Sequence, residues 1–97
     1  MDKIEAFITE VSAALPPDGK ADFEPYGNGV ELSDLRADIP GQGWGTRAVE
    51  VIVRLADAHK MDIMVIPAGR RHSKPRLVEF YGRFGFFGED ALHRSAA

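Results

Sequence analysis

Residues 30–66 read in order as an extended segment, a glycine-rich turn, a long amphipathic run and a short apolar segment. That order constrains the fold more than any other feature of the chain. From Thr46 to Lys60, Val49, Ile52, Val53 and Ala56 fall on one stripe, while Arg47, Glu50, Arg54 and Asp57 fall on another face. This is the pattern of a helix with one buried side. Ile63 to Ile66 is apolar throughout and short enough for a buried parallel strand. A helix joining two extended segments predicts a crossover between parallel neighbours. Its loop, PGQGWGT at 40–46, then lies at the carboxyl end of the first strand, where open sheets bind ligands.

The first strand, Val30 to Ile39, carries a fault. Val30 and Leu32 lie on one parity, whereas Leu35, Ala37 and Ile39 lie on the other. A residue inserted around Ser33-Asp34, a β-bulge, produces such a phase change. So do two short strands, or a strand running into a loop.

Upstream, Asp2 and Glu5 are spaced as a capping-box variant before Ile4, Phe7, Ile8, Val11 and Leu15, which predicts a helix over 3–15. Pro16, Pro17 and Gly19 stop it. Phe23 to Tyr26 predicts a short edge strand, because Pro25 cannot serve a central ladder. Gly27-Asn28-Gly29 is a hairpin signal. Downstream, Pro75 suits the first turn of a further helix, with Ser73 and Lys74 just outside it. Leu77, Val78, Tyr81 and Phe84 mark its apolar side, and Gly85 is its expected stop. Phe86 and Phe87 are expected to open one more strand before a frayed tail.

The chain has 97 residues and no cysteine, which predicts one α/β (α+β) domain over 1–97 without disulfides, thiolate nucleophiles or cysteine-held metal. His59 and His93 have no partners at ligand spacing, so no metal is assigned. No apolar run is long enough for a membrane span and the N-terminus does not read as a secretory signal, so a cytoplasmic location is expected. Residues 1–45 hold three Lys/Arg against nine Asp/Glu, whereas residues 46–97 hold nine against six. The half downstream of the glycines is the one suited to an anionic ligand. The acidic whole argues against nucleic acid as a partner.

Gly41, Gly43 and Gly45 before a helix suggest an anion cradle, since bare amides and a helix N-terminus both favour negative charge. A Walker loop would need lysine after its last glycine, where this chain has Thr46-Arg47. A dinucleotide fingerprint on Gly43, Gly45 and Ala48 would need an acid at the end of the next strand, where Ile66-Pro67 stands.

DLRADIPGQGWGTRAVEVIVRLADAHKMDIMVI followed by LVEFYGRFGF resembles the GCN5-related N-acetyltransferase (GNAT) superfamily. The loop Pro40-Gly41-Gln42-Gly43-Trp44-Gly45 matches that family's acetyl-CoA loop at its glycines, and Phe80-Tyr81-Gly82-Arg83-Phe84-Gly85-Phe86 matches its Phe-Tyr-x-x-x-Gly-Phe segment. The resemblance covers residues 30–87, about the second half of a usual member, with 1–29 divergent. It departs from the family at Pro40, where Arg or Gln is usual, and at Lys74, near a usual asparagine.

The resemblance implies a truncated mixed sheet with a bulged strand, a central βαβ unit and an added N-terminal helix. It implies an acetyl-CoA-dependent N-acetyltransferase acting on an unidentified amine, small or on a protein, or a degenerate member that binds coenzyme A or a partner protein without turnover. Gly41, Gln42, Gly43, Trp44, Gly45 and Thr46 would hold the pyrophosphate. Leu35, Arg36 and Ala37 would pair with the pantetheine arm across the gap that a bulge opens, and Ser73 would stand in for the asparagine. Tyr81 takes the proton-donor position, unless its place on an apolar stripe means that it only packs. Asp34 is the candidate base, undistinguished by sequence from Glu31, Asp38 or His72. Arg70, Arg71, His72, Lys74 and Arg76 suit phosphates or an acidic acceptor, and suit a solvated face equally well. The shortened sheet has an edge to cover, so a homodimer is expected.

Overall fold

The computed structural model describes residues 2–15, 19–37, 43–67 and 74–96. Helix α1 (Lys3–Ala14) opens with Asp2 as its cap, whose carboxylate accepts from the Glu5 amide at 2.8 Å. Strands β1 (Gly19–Tyr26) and β2 (Gly29–Ala37) form an antiparallel hairpin, and β1 is longer than its apolar core Phe23–Tyr26 suggested. Gly27 turns the chain at φ +57°, and Tyr26 pairs with Gly29 directly behind it. Helix α2 (Trp44–Ala58) crosses to β3 (Ile63–Val65), which lies parallel to β2. Helix α3 (Lys74–Gly82) leads to β4 (Phe87–Gly88), and β5 (Leu92–Arg94) returns between β3 and β4.

The sheet order is β1-β2-β3-β5-β4, mixed, with one parallel step at β2–β3. It is the bulged, truncated α+β sheet with a central βαβ unit that the resemblance implies. β1 is an edge strand, which is where Pro25 can sit.

The tail is not frayed. Leu92 is fully buried, and Arg94 grips Asp57 of α2 through two hydrogen bonds of 2.8 and 3.0 Å and donates to the Phe84 carbonyl at 2.9 Å. A three-residue strand with one apolar residue carries no periodicity, so only its long-range partners mark it. Helix α3 ends at Gly82, three residues before Gly85, which takes φ +92° in the following turn.

All three helices attach to one side of the sheet. Phe7 of α1 meets Phe23 edge-on at 5.2 Å, α2 holds Arg94, and Tyr81 of α3 meets Phe86 at 5.5 Å. Val30, Leu32, Ile63, Val65 and Leu92 point into this core with Phe7, Val11, Val49, Ile52 and Ala56. His59 at the end of α2 pairs with Glu10 at 2.6 Å and Lys3 donates to the Lys60 carbonyl at 2.7 Å, so α1 is pinned to α2 at its polar rim.

Candidate active site at the open end of the central strands

The phase fault in β2 is a bulge. Phe23 pairs with Leu32 and the preceding Asp22 pairs with Asp34, so Ser33 is the extra residue. Its hydroxyl donates to the Asp22 carbonyl at 3.1 Å, which fixes the bulge locally. Leu35 keeps its side chain against the core on the far side of the insertion.

The bulge coincides with the end of the parallel ladder. Val30, Glu31 and Leu32 pair with Ile63, Met64 and Val65, and β3 pairs with nothing in β2 beyond that point. From Ser33 to Ala37, β2 is held by β1 on one edge only, because a bulge re-aims the strand and ends regular pairing. Beyond that point β2 and the chain leaving β3 are unpaired with one another, a wedge in the hydrogen-bond ladder with the backbone of Leu35, Arg36 and Ala37 along one side.

Helix α2 starts at the same end. Gly43 is its cap residue at φ +69°, a conformation that favours glycine, and no side chain caps the helix. The first intrahelical bond runs from the Arg47 amide to the Gly43 carbonyl at 3.2 Å. The amides of Trp44, Gly45 and Thr46 precede it and have no partner within the helix. The sequence pattern starts the helix at Thr46, with Trp44 and Gly45 in the loop; in the structure all three form its first turn, because Trp44 and Gly45 already meet helical geometry behind the left-handed Gly43. Gly41, Gln42 and Ser73 lie outside the described residues, as do Pro40, Asp38, Arg70, Arg71 and His72.

The electrostatics of this helix start are unusual. Its first turn holds no acid. A β-carbon at Gly43 would stand 3.7 Å from Nη1 of Arg47, so the guanidinium folds back toward the positive end of the helix. Arg47 is exposed and makes no ion pair with a described residue. A cation beside a helix N-terminus opposes the macrodipole, and an anion placed there satisfies both. In the sequence Arg47 reads only as part of the polar face of the helix. The signal that finds it is its spacing of four from the glycine cap.

Tyr81 sits on the buried side of α3, about 7% exposed, edge-on to Phe80 at 5.2 Å and to Phe86 at 5.5 Å. Its hydroxyl has no hydrogen-bond partner among the described residues, where a buried tyrosine usually finds one. Burial pushes its ionisation above the ordinary value of 10.0. Phe80, its neighbour, reaches α2: a β-carbon at Gly45 would be 3.7 Å from Phe80 Cζ. Helix α3 thus lies beside the first turn of α2, at a distance where a β-carbon at 45 would make an ordinary contact. Asp34 is half-buried immediately after the bulge and lies opposite Asp22, on the sheet face away from the helices. No group of three metal-ligating side chains occurs among the described residues.

No protein-family model matches the sequence, and no curated protein matches it. The crystal structure of the anti-CRISPR protein AcrVA5 is similar, with a TM-score of 0.65 over 82% of this chain and 93% of that one, at 17% identity. At that identity the likeness is one of fold, and a fold alone does not carry an activity.

Proposed function

We propose that this chain is a short GNAT-like acetyl-CoA-dependent N-acetyltransferase that transfers an acetyl group to an amine by direct attack on the thioester. The observation that carries the reading is the arrest of the β2–β3 ladder at Leu32 and Val65, beside a helix start whose amides and Arg47 suit a diphosphate. Acetyl-CoA, when bound, supplies the activated acyl group and a thiolate leaving group.

The chain's own residues then divide the work. The amides of Trp44, Gly45 and Thr46, with the Arg47 guanidinium, bind the diphosphate. Backbone groups of Leu35, Arg36 and Ala37 orient the amide-bearing arm as an added strand would be oriented, and an N–H there holds the developing oxyanion. Tyr81 keeps its proton through neutral pH, because burial disfavours the phenolate, and gives it to the departing sulfur. Asp34, at the mouth of the wedge, accepts a proton from the incoming amine.

One observation favours a second reading, binding of coenzyme A or a partner without turnover: Tyr81 is enclosed by Phe80 and Phe86 in the core. Thiol release across a panel of amines separates the two. On the first reading Tyr81→Phe lowers turnover roughly a hundredfold, the lower end of general acid catalysis, while coenzyme A binding is unchanged. Thiol release equal to wild type in that variant would remove Tyr81 from the chemistry. No thiol release from wild type with any amine, with binding intact, would leave the second reading.

A further inference from the structure

The face of the sheet opposite the helices has a composition of its own. Strand alternation assigns it Lys20, Asp22, Glu24 and Tyr26 from β1, because Ala21 and Phe23 pack into the core. The paired residues Gly29, Glu31 and Asp34 of β2, Met64 of β3, His93 of β5 and Phe87 of β4 share it. Phe87 is 69% exposed and Tyr26 49% exposed, two of the three large apolar side chains most open to solvent among the described residues. The third, Ile66 at 51%, directly follows β3. Tyr26 and His93 approach to 6.4 Å between ring centres. With Gly29 and Met64 they line a cavity of about 220 Å³. Met64 itself is only 6% exposed, so the accessible apolar surface of this face is that of Tyr26 and Phe87.

Beside the apolar strip, β1 and β2 oppose acids directly: Glu24 faces Glu31, and Asp22 faces Asp34. Like charges opposite one another weaken a strand pair. Lys20 lies 3.9 Å from Asp22, but no described cation stands within ion-pair distance of Glu24 or Glu31. An apolar strip beside Glu24 and Glu31, which have no described cation within ion-pair distance, complements a chain with the opposite pattern.

We propose that this face docks a basic, amphipathic polypeptide segment, its Lys and Arg side chains over Glu24 and Glu31 and its apolar side chains over Tyr26 and Phe87. A second copy fits less well, since two such faces brought together would set acids against acids. The inference concerns the sheet face alone and does not require the transferase reading.

The test uses a fluorescent peptide of alternating Lys and Leu residues, titrated with the full chain and followed by anisotropy at two ionic strengths. Saturable binding that weakens with salt is expected. Glu24→Gln/Glu31→Gln should weaken it roughly tenfold, and Phe87→Ser by a similar factor, whereas Glu50→Gln on the exposed side of α2 should leave it unchanged. The paired Gln variant removes a like-charge repulsion, so a melting temperature at or above wild type shows that it is folded. Binding that is absent, or equally strong in the paired Gln variant, would overturn the proposal. So would sedimentation showing a dimer that Phe87→Ser dissociates, which would assign the face to a second copy.

Discussion

Tyr81 carries a hydroxyl into a cluster of aromatic rings, and its protonation belongs to the folded state. Its folded pKa lies above 10.0, so the folded chain keeps a proton that the unfolded chain releases near pH 10. The associated stability is complete below pH 10.0 and is lost as pH rises through the folded value. Tyr81→Phe has no such proton, so its denaturation midpoint should fall less steeply with pH above about 10 than that of wild type. Parallel slopes would show that the hydroxyl is not buried. At Arg47 the expectation concerns binding. Arg47→Ala should weaken coenzyme A about tenfold by calorimetry while leaving stability within about 0.5 kcal/mol, because the lost charge opposed the helix dipole. Lys60 holds φ +56° just past α2, with the Met61 amide bonded to the Ala56 carbonyl at 2.7 Å and the Lys60 amide to Asp57 at 3.2 Å. Glycine is favoured at that position of such a helix end. Lys60→Gly should therefore raise stability by about 0.5–1 kcal/mol in urea denaturation.

Elements were legible where a period or a turn residue marks them. Asp2 capped α1 as its spacing with Glu5 implied, and the parity change in β2 pointed to a fault around Ser33-Asp34, which the register shows to be a bulge at Ser33 rather than two strands or a strand running into a loop. A bulge has a signature in sequence because it moves every later side chain by one place. β5 had none: His93 and Arg94 are polar, and their roles depend on Asp57 and Met64, which lie far away in sequence. The first turn of α2 was misplaced because glycine and tryptophan read as loop residues until the left-handed Gly43 fixes the start. Two variants test these joints. A β-carbon at Gly29 would sit 2.1 Å from the Asp62 carbonyl oxygen, so Gly29→Ala should destabilise by about 1–3 kcal/mol. Arg94→Leu should lose about 1.5–3 kcal/mol, since the pair with Asp57 is largely shielded and bidentate.

At the scale of the molecule, one insertion separates two jobs of the same strand. Up to Leu32, β2 is a central strand, paired on both edges and packed under α2. Beyond Ser33 it is paired only with β1, and its other edge has no strand partner among the described residues. The order of strand, loop and helix was legible in residues 30–66, but the side on which each acid falls, and the bare sheet face, emerge only once registers are known. Deleting Ser33 should join the two halves into one register, since Asp34 would then pair with Asp22 in phase with Leu32 and Phe23. The most direct test is thermal denaturation of wild type and the Ser33 deletion with and without acetyl-CoA. At about 100 times its dissociation constant the ligand should add roughly 2.7 kcal/mol, a rise of several degrees, to wild type. The account predicts that the deletion variant melts cooperatively and gains nothing from the ligand. An equal rise in both proteins, or none in wild type, would contradict it.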